Sequence, residues 1–254
     1  MKKVVKVKNM TLGKGMPKIC VPLVGKTNNA LHLEIQNLKN LQFDLVEWRM
    51  DYHEDVLDVE KMQQALLLIR KQLGEIPVLA TFRSKKEGGV CEVDTSYYIH
   101  LNKTIIATHL VDLIDIELFT GDALVKEVVD FAHAHNVKVI MSNHDFHKTP
   151  SKEEIINRLC KMQDLNADLP KIAVMPLNTD DVLTLLSATN DMYTKYANRP
   201  IITMSMSQLG IISRLVGEIF GSALTFGAAQ TASAPGQIPV SDLTQILKVL
   251  HNSK

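Results

Sequence analysis

Eight short β-rich apolar runs, each followed by a stretch long enough for a helix, constrain this chain more than any other feature. They are KICVPLVG (18–25), DLVEWRMD (44–51), PVLATFR (77–83), LVDLIDIEL (110–118), VKVIMSNHDF (137–146), PKIAVMP (170–176), PIITMSMS (200–207) and SALTFGAA (222–229). Between them lie segments with helical periodicity, among them 58–73, 151–165, 179–197 and 240–252. In the second of these, Ser151 and Glu154 form a capping box. A repeat of about thirty residues suits βα units rather than hairpins. Eight units in 254 residues predict an α/β chain closed into a (β/α)₈ barrel, with residues 1–254 as a single catalytic domain. An open doubly wound sheet is disfavoured, because no glycine fingerprint follows the first run. The leading KVVKVKNMTLGKG alternates apolar and polar residues around a Gly-Lys-Gly turn, so we expect a β-hairpin capping the bottom of the barrel.

Barrel strands are covered on both faces and should be apolar, so charges inside them carry information. They gather near the C-terminal ends of the runs, where barrel chemistry sits. Glu47, Arg49 and Asp51 share one face of the second run, and Arg83 ends the third. The fourth carries Asp112, Asp115 and Glu117, and the fifth ends with His144 and Asp145. Lys171 opens the sixth, on a face with Ala173 and Met175. Singly, each has a plain reading: Glu47 and Arg49 as a packing ion pair, or Lys171 snorkelling out of the barrel bottom. Together they outline an active site. A lysine that burial or nearby cations strip of its proton can attack a ketone and form an imine. An imidazole such as His144 can take up a proton and return it. The small-residue stretch GAAQTASAPGQIP (227–239) follows the eighth run and is expected to form a lid.

Composition narrows the partners. With 28 basic and 28 acidic residues the formal net charge is zero, which asks for neither nucleic acid nor an anionic membrane. Cys20, Cys91 and Cys160 make an odd count without CxxC spacing, against a disulfide framework. No apolar run reaches the length of a membrane span, and the N-terminus lacks an apolar signal core, so a cytoplasmic location is expected. VGKT (24–27) resembles the end of a phosphate-binding loop, but Cys20 stands where that motif needs glycine. His144 and His147 are i,i+3 on a strand and face apart, which makes them poor co-ligands, so no metal is expected. His133 and His135 sit near a helix end, where surface or dipole roles suffice.

EWRMD (47–51), TFRSKKEGG (81–89), SNHDFHKTP (142–150), KIAVMP (171–176), TMSMSQLGIISR (203–214) and SAPGQI (233–238) together resemble type I 3-dehydroquinate dehydratase over essentially the whole chain. The resemblance implies a homodimeric barrel lyase of the shikimate route to aromatic compounds. Such an enzyme uses no metal or organic cofactor and converts 3-dehydroquinate to 3-dehydroshikimate and water. It implies Lys171 as the imine-forming lysine, His144 as general acid/base and Glu87 as the carboxylate orienting that histidine. Arg214 is implied to bind the substrate carboxylate, with Glu47, Arg49, Arg83, Ser233 and Gln237 holding hydroxyls and closing the pocket. Some members carry serine where this chain has Pro22, a contact it would lack. The alternative is a class I Schiff-base aldolase on a related barrel. A metal-dependent hydrolase or isomerase, and a binding barrel without turnover, are more distant readings.

Overall fold

A computed structural model describes residues 4–229 and 233–253. Eight parallel strands form the barrel: β3 (Lys18–Leu23), β4 (Leu45–Arg49), β5 (Val78–Thr81), β6 (Leu113–Glu117), β7 (Lys138–Asp145), β8 (Leu169–Val174), β9 (Ile202–Ser205) and β10 (Leu224–Ala228). Helices α1 (Asn28–Asn37), α2 (Val59–Leu73), α3 (Thr95–Ala107), α4 (Asp122–Ala134), α5 (Lys152–Asp164) and α6 (Thr179–Asp191) follow the first six strands in turn. The short α7 (Ile211–Leu215) and α8 (Gly217–Phe220) follow β9, and α9 (Val240–Asn252) follows β10. Neighbours pair in chain order from β3 to β9, and β10 returns to β3. The ring closes between β9 and β10 through an Ile201–Ser222 bridge. There Ala223 N donates to Ile201 O at 2.8 Å and Thr203 N to the Ser222 hydroxyl at 3.0 Å.

The periodic helical stretches became α2, α5, α6 and α9, and Ser151 caps α5 by accepting the Glu154 N–H. The N-terminal hairpin pairs β1 (Val5–Val7) with β2 (Met10–Leu12). Its turn is Lys8–Asn9, with Lys8 in the left-handed region at φ 48°, and not the Gly-Lys-Gly sequence, which serves as the connection onward to β3. One short element was not expected: β11 (Ile238–Pro239) adds two residues beside β10.

Alternation along the strands writes the barrel interior in layers. Cys20, Leu45, Leu79, Leu113, Ile140, Leu169, Ile202 and Leu224, one from each strand, form an apolar floor, and Val5, Val7, Met10 and Leu12 of the hairpin plug it from below. Two residues further along each strand the interior turns polar: Glu47, Thr81, Asp115, Ser142 and Lys171, beside Pro22, Met204 and Phe226. The outward faces, such as Val46, Ala80, Ile114 and Ile172, join the helices in a second apolar core. A dry floor beneath a polar belt fixes where chemistry can occur, because only the belt and the rim above it reach the mouth.

Candidate active site

The walls of the pocket at the C-terminal mouth include Lys171, His144, Glu87, Arg214, Met204 and Phe226. Glu47, Arg49, Arg83, Ser233 and Gln237 also border it. The structure therefore gathers all nine residues implied by the family resemblance at one place. It also assigns them unequal freedom.

Lys171 is the third residue of β8, not the first. That offset of two lifts its side chain from the barrel floor into the polar belt and removes the snorkelling alternative. Only 3% of the residue is exposed. Its Nζ lies 3.3 Å from Asp115 Oδ2, 3.9 Å from Glu47 Oε1 and 4.6 Å from the centre of the Phe226 ring. Its ionic partners are thus carboxylates, not nearby cations. Asp115 is fully buried and also accepts from Ser142 Oγ at 2.6 Å and Arg83 Nη2 at 2.8 Å. Burial pushes the Asp115 carboxyl up, but Arg83, Lys171 and these hydrogen bonds together hold it below the usual carboxylate range.

His144 ends the inward row of β7, and Glu87 reaches it from the loop after β5. Glu87 Oε2 accepts the His144 backbone N–H at 2.9 Å and faces Nδ1 at 3.0 Å, which leaves Nε2 for the pocket. Burial, then the Glu117 charge, raise the Glu87 carboxyl to about 8, against the pull of Arg83 and two hydrogen bonds. Burial, then Arg83, Lys171 and Arg49, lower the imidazole well below its ordinary range. Both shifts resist charge on this pair, so it titrates as a unit and the imidazole is neutral at physiological pH. Gly88 and Gly89 allow the Glu87 loop its course: Gly88 has φ 87°, and a Cβ on Gly89 would stand 1.8 Å from the Arg83 carbonyl oxygen.

The arginines differ sharply. Arg49 is locked to Asp51 by two 2.8 Å hydrogen bonds, and Asp51, in the turn beyond β4, also accepts from Arg83 N and Val90 N. Arg83 binds Asp115, Glu117 and Ser142. Arg214, on α7 and only 2% exposed, has no carboxylate beside it among the described residues. Its Nη2 donates to Pro235 O at 3.0 Å, Nη1 makes only a long 3.6 Å contact with Met204 Sδ, and Nε has no partner. Burial lowers it to about 10. A desolvated guanidinium without a counter-ion is a site prepared for an anion.

Ser233 and Gln237 arrive on the segment after β10 but spend their polar groups on each other: Ser233 N donates to Gln237 Oε1 at 2.9 Å, and Gln237 Nε2 to Ser233 Oγ at 3.0 Å. The segment is docked over the mouth, since Arg49 reaches Ser233 O and Gly236 packs on Ser207. The expected lid spans 227–239, of which 230–232 lie outside the described residues. Three polar residues singled out from the sequence lie elsewhere. Asp112 precedes β6 at the barrel bottom, bound to Arg70 and Lys8. Asp145 caps the turn at His147 and Lys148, and His133 pairs with Asp168 at 2.8 Å. Pro22 is buried in β3 opposite Glu47 and does not line the pocket.

Fold and site define the chain as a (β/α)₈-barrel enzyme with an amine, an imidazole–carboxylate pair and an uncompensated guanidinium at its mouth. A family model described as type I 3-dehydroquinase matches residues 19–254. The chain is 59% identical to a 3-dehydroquinate dehydratase from Clostridium botulinum, with 100% of each covered. It is 58% identical to one from Listeria monocytogenes, with 99% of each covered. A crystal structure of a type I 3-dehydroquinate dehydratase from Clostridium difficile superposes with a TM-score of 0.98 at 57% identity, covering 100% of both chains. The chain belongs to the type I 3-dehydroquinase family.

Proposed function

We propose that the chain is a hydro-lyase that converts 3-dehydroquinate to 3-dehydroshikimate and water through an imine on Lys171, with residues 1–254 acting as one catalytic unit. What most supports this reading is the buried Lys171 amine, held beside Asp115 in the same pocket as the neutral His144 imidazole. Lys171 Nζ adds to the C3 carbonyl, and Asp115 is the nearest acceptor for the proton the amine must give up. His144 aids departure of water from the carbinolamine. Its Nε2 then removes a C2 proton, and the iminium takes the electron pair as an enamine. As the enamine re-forms the iminium, the C1–O bond breaks, and His144 hands the same proton to the leaving hydroxyl. One base at one position makes the elimination syn. Water finally releases the product from Lys171. Glu87 holds the imidazole by Nδ1 throughout.

The substrate carboxylate falls to Arg214, whose planar guanidinium suits bidentate recognition. Arg49 and Arg83, each committed to carboxylates, act in this reading by shaping the pocket and fixing its charge. Glu47, which accepts the Thr81 hydroxyl at 2.9 Å, is a carboxylate acceptor for a substrate hydroxyl. Ser233 and Gln237 exchange their mutual bonds for the substrate when it binds. Among the described residues no helix is long and apolar enough to cross a membrane, and we assign the enzyme to the cytoplasm. A homodimer completes the reading. Exposed Ile211, Ile212 and Ile219 on α7 and α8 offer apolar surface for it.

Borohydride added during turnover is expected to fix the reduced ligand on Lys171, read as a mass increase on the peptide that contains it. An unmodified Lys171 would sink the imine route. Arg214→Ala should lower kcat/KM by roughly 10²–10³, mostly through KM, the scale of losing one partner of a buried charge pair. Without substrate, this variant should melt no lower than the parent, because an unpaired buried cation is removed. An unchanged KM would remove Arg214 from the carboxylate site.

A further inference from the structure

Asn143 takes no direct part in the proposed chemistry. Inward positions of β7 are Ile140, Ser142 and His144, so Val139, Met141 and Asn143 point outward to the helices. An amide there breaks an apolar row, and it is 97% buried, with 3% exposed. Its Nδ2 donates to Glu87 Oε1 at 3.1 Å. Its Oδ1 accepts from Arg158 Nη1 of α5 at 2.8 Å. A guanidinium carries only donors, so the amide oxygen must face Arg158 and the NH₂ must face Glu87. Arg158 is itself fixed, by Glu154 Oε1 at 2.7 Å and by stacking over Phe119 at 5.5 Å.

We propose that Asn143, aimed by Arg158, is a positioning residue for the reaction: its bond to Glu87 Oε1 favours the carboxylate form that accepts the His144 Nδ1 proton and leaves Nε2 free as a base. Glu87 Oε2 already serves the His144 backbone and ring, and Asn143 is the hydrogen-bond donor on Oε1 among the described residues. The groups facing the pair are Glu117 from β6, Arg83 after β5, Arg49 from β4, Lys171 from β8 and Arg158 from α5. Against the Glu117 charge and burial, a neutral donor stabilises the carboxylate without adding a cation that would repel imidazolium. If Arg158 is lost, the amide is free to turn its oxygen toward Glu87. The pair then binds its proton more tightly and the base form appears only at higher pH. This proposal rests on the general-base reading of His144.

The test is the pH dependence of kcat/KM. Arg158→Ala is expected to move the acid limb up by about one unit, which is a tenfold loss on the acid side. Asn143→Ala should do the same, and the double variant should add nothing further, as expected of two residues acting through one bond. Glu87→Gln removes the negative charge and should move the limb the opposite way. Arg158 borders a cleft that also reaches Glu87 and His144, so added guanidinium should restore the limb of Arg158→Ala. Arg158, on the outer helix, can be truncated even if Asn143→Ala fails to fold. An unmoved limb in a folded Arg158→Ala, or a further shift in the double variant, overturns the proposal. If His144→Ala keeps its activity, the general-base reading itself fails, and that outcome is distinct from both.

Discussion

Lys171→Ala should lose turnover by on the order of 10⁴–10⁶-fold, the scale reported when a covalent nucleophile is removed. No neighbouring group can substitute. The polar belt around that position holds carboxylates, hydroxyls and a guanidinium, none of which forms an imine. The loss should not come from unfolding. Asp115 keeps Arg83 and Ser142 when the amine is gone, and Glu47 keeps the Thr81 hydroxyl, so no carboxylate is stranded. The ultraviolet absorbance of the conjugated enone product measures the rate, and circular dichroism checks the fold. A folded Lys171→Ala protein within tenfold of wild type would refute covalent catalysis. Aldolase chemistry would be equally lysine-dependent, and the identity of the product separates the two.

His144→Ala should reduce kcat by about 10²–10⁴-fold, the usual worth of a positioned acid or base. KM should change little, because the imidazole does not hold the substrate carboxylate. The informative readout is the covalent intermediate. With proton removal at C2 slowed, imine on Lys171 should accumulate, and borohydride should trap a larger fraction of the enzyme than in wild type. A drop in trapping parallel to the drop in turnover would mean that His144 serves only imine formation.

Several features are legible in the sequence alone. The eight apolar runs gave the barrel because strand and helix periodicities are local. The alternation of Leu45-Glu47-Arg49 and Leu113-Asp115-Glu117 already held the interior layers, and counting by twos from the apolar floor would have put Asp115 in the belt with Lys171. Asp112 falls outside that count, because it sits one residue before Leu113, on the opposite parity, and meets Lys8 and Arg70 at the barrel bottom. Asn143 gave no sequence signal beyond being polar in a strand. Its meaning depends on Arg158, 15 residues away on the next helix.

The sequence by itself determined the fold class, the N-terminal hairpin and the set of residues at the mouth, since these follow from periodicity, spacing and family resemblance. Only the tertiary structure decided what each charged group is free to do. Arg49, Arg83 and Arg214 look alike as letters. Yet two are saturated by carboxylates from other strands or turns, and one stands buried with an open donor edge. The physical reason is that a side chain's charge partners, and its distance from water, are set by strands closing in space. Hydrogen-bond saturation is therefore a property of the closed barrel and not of any segment.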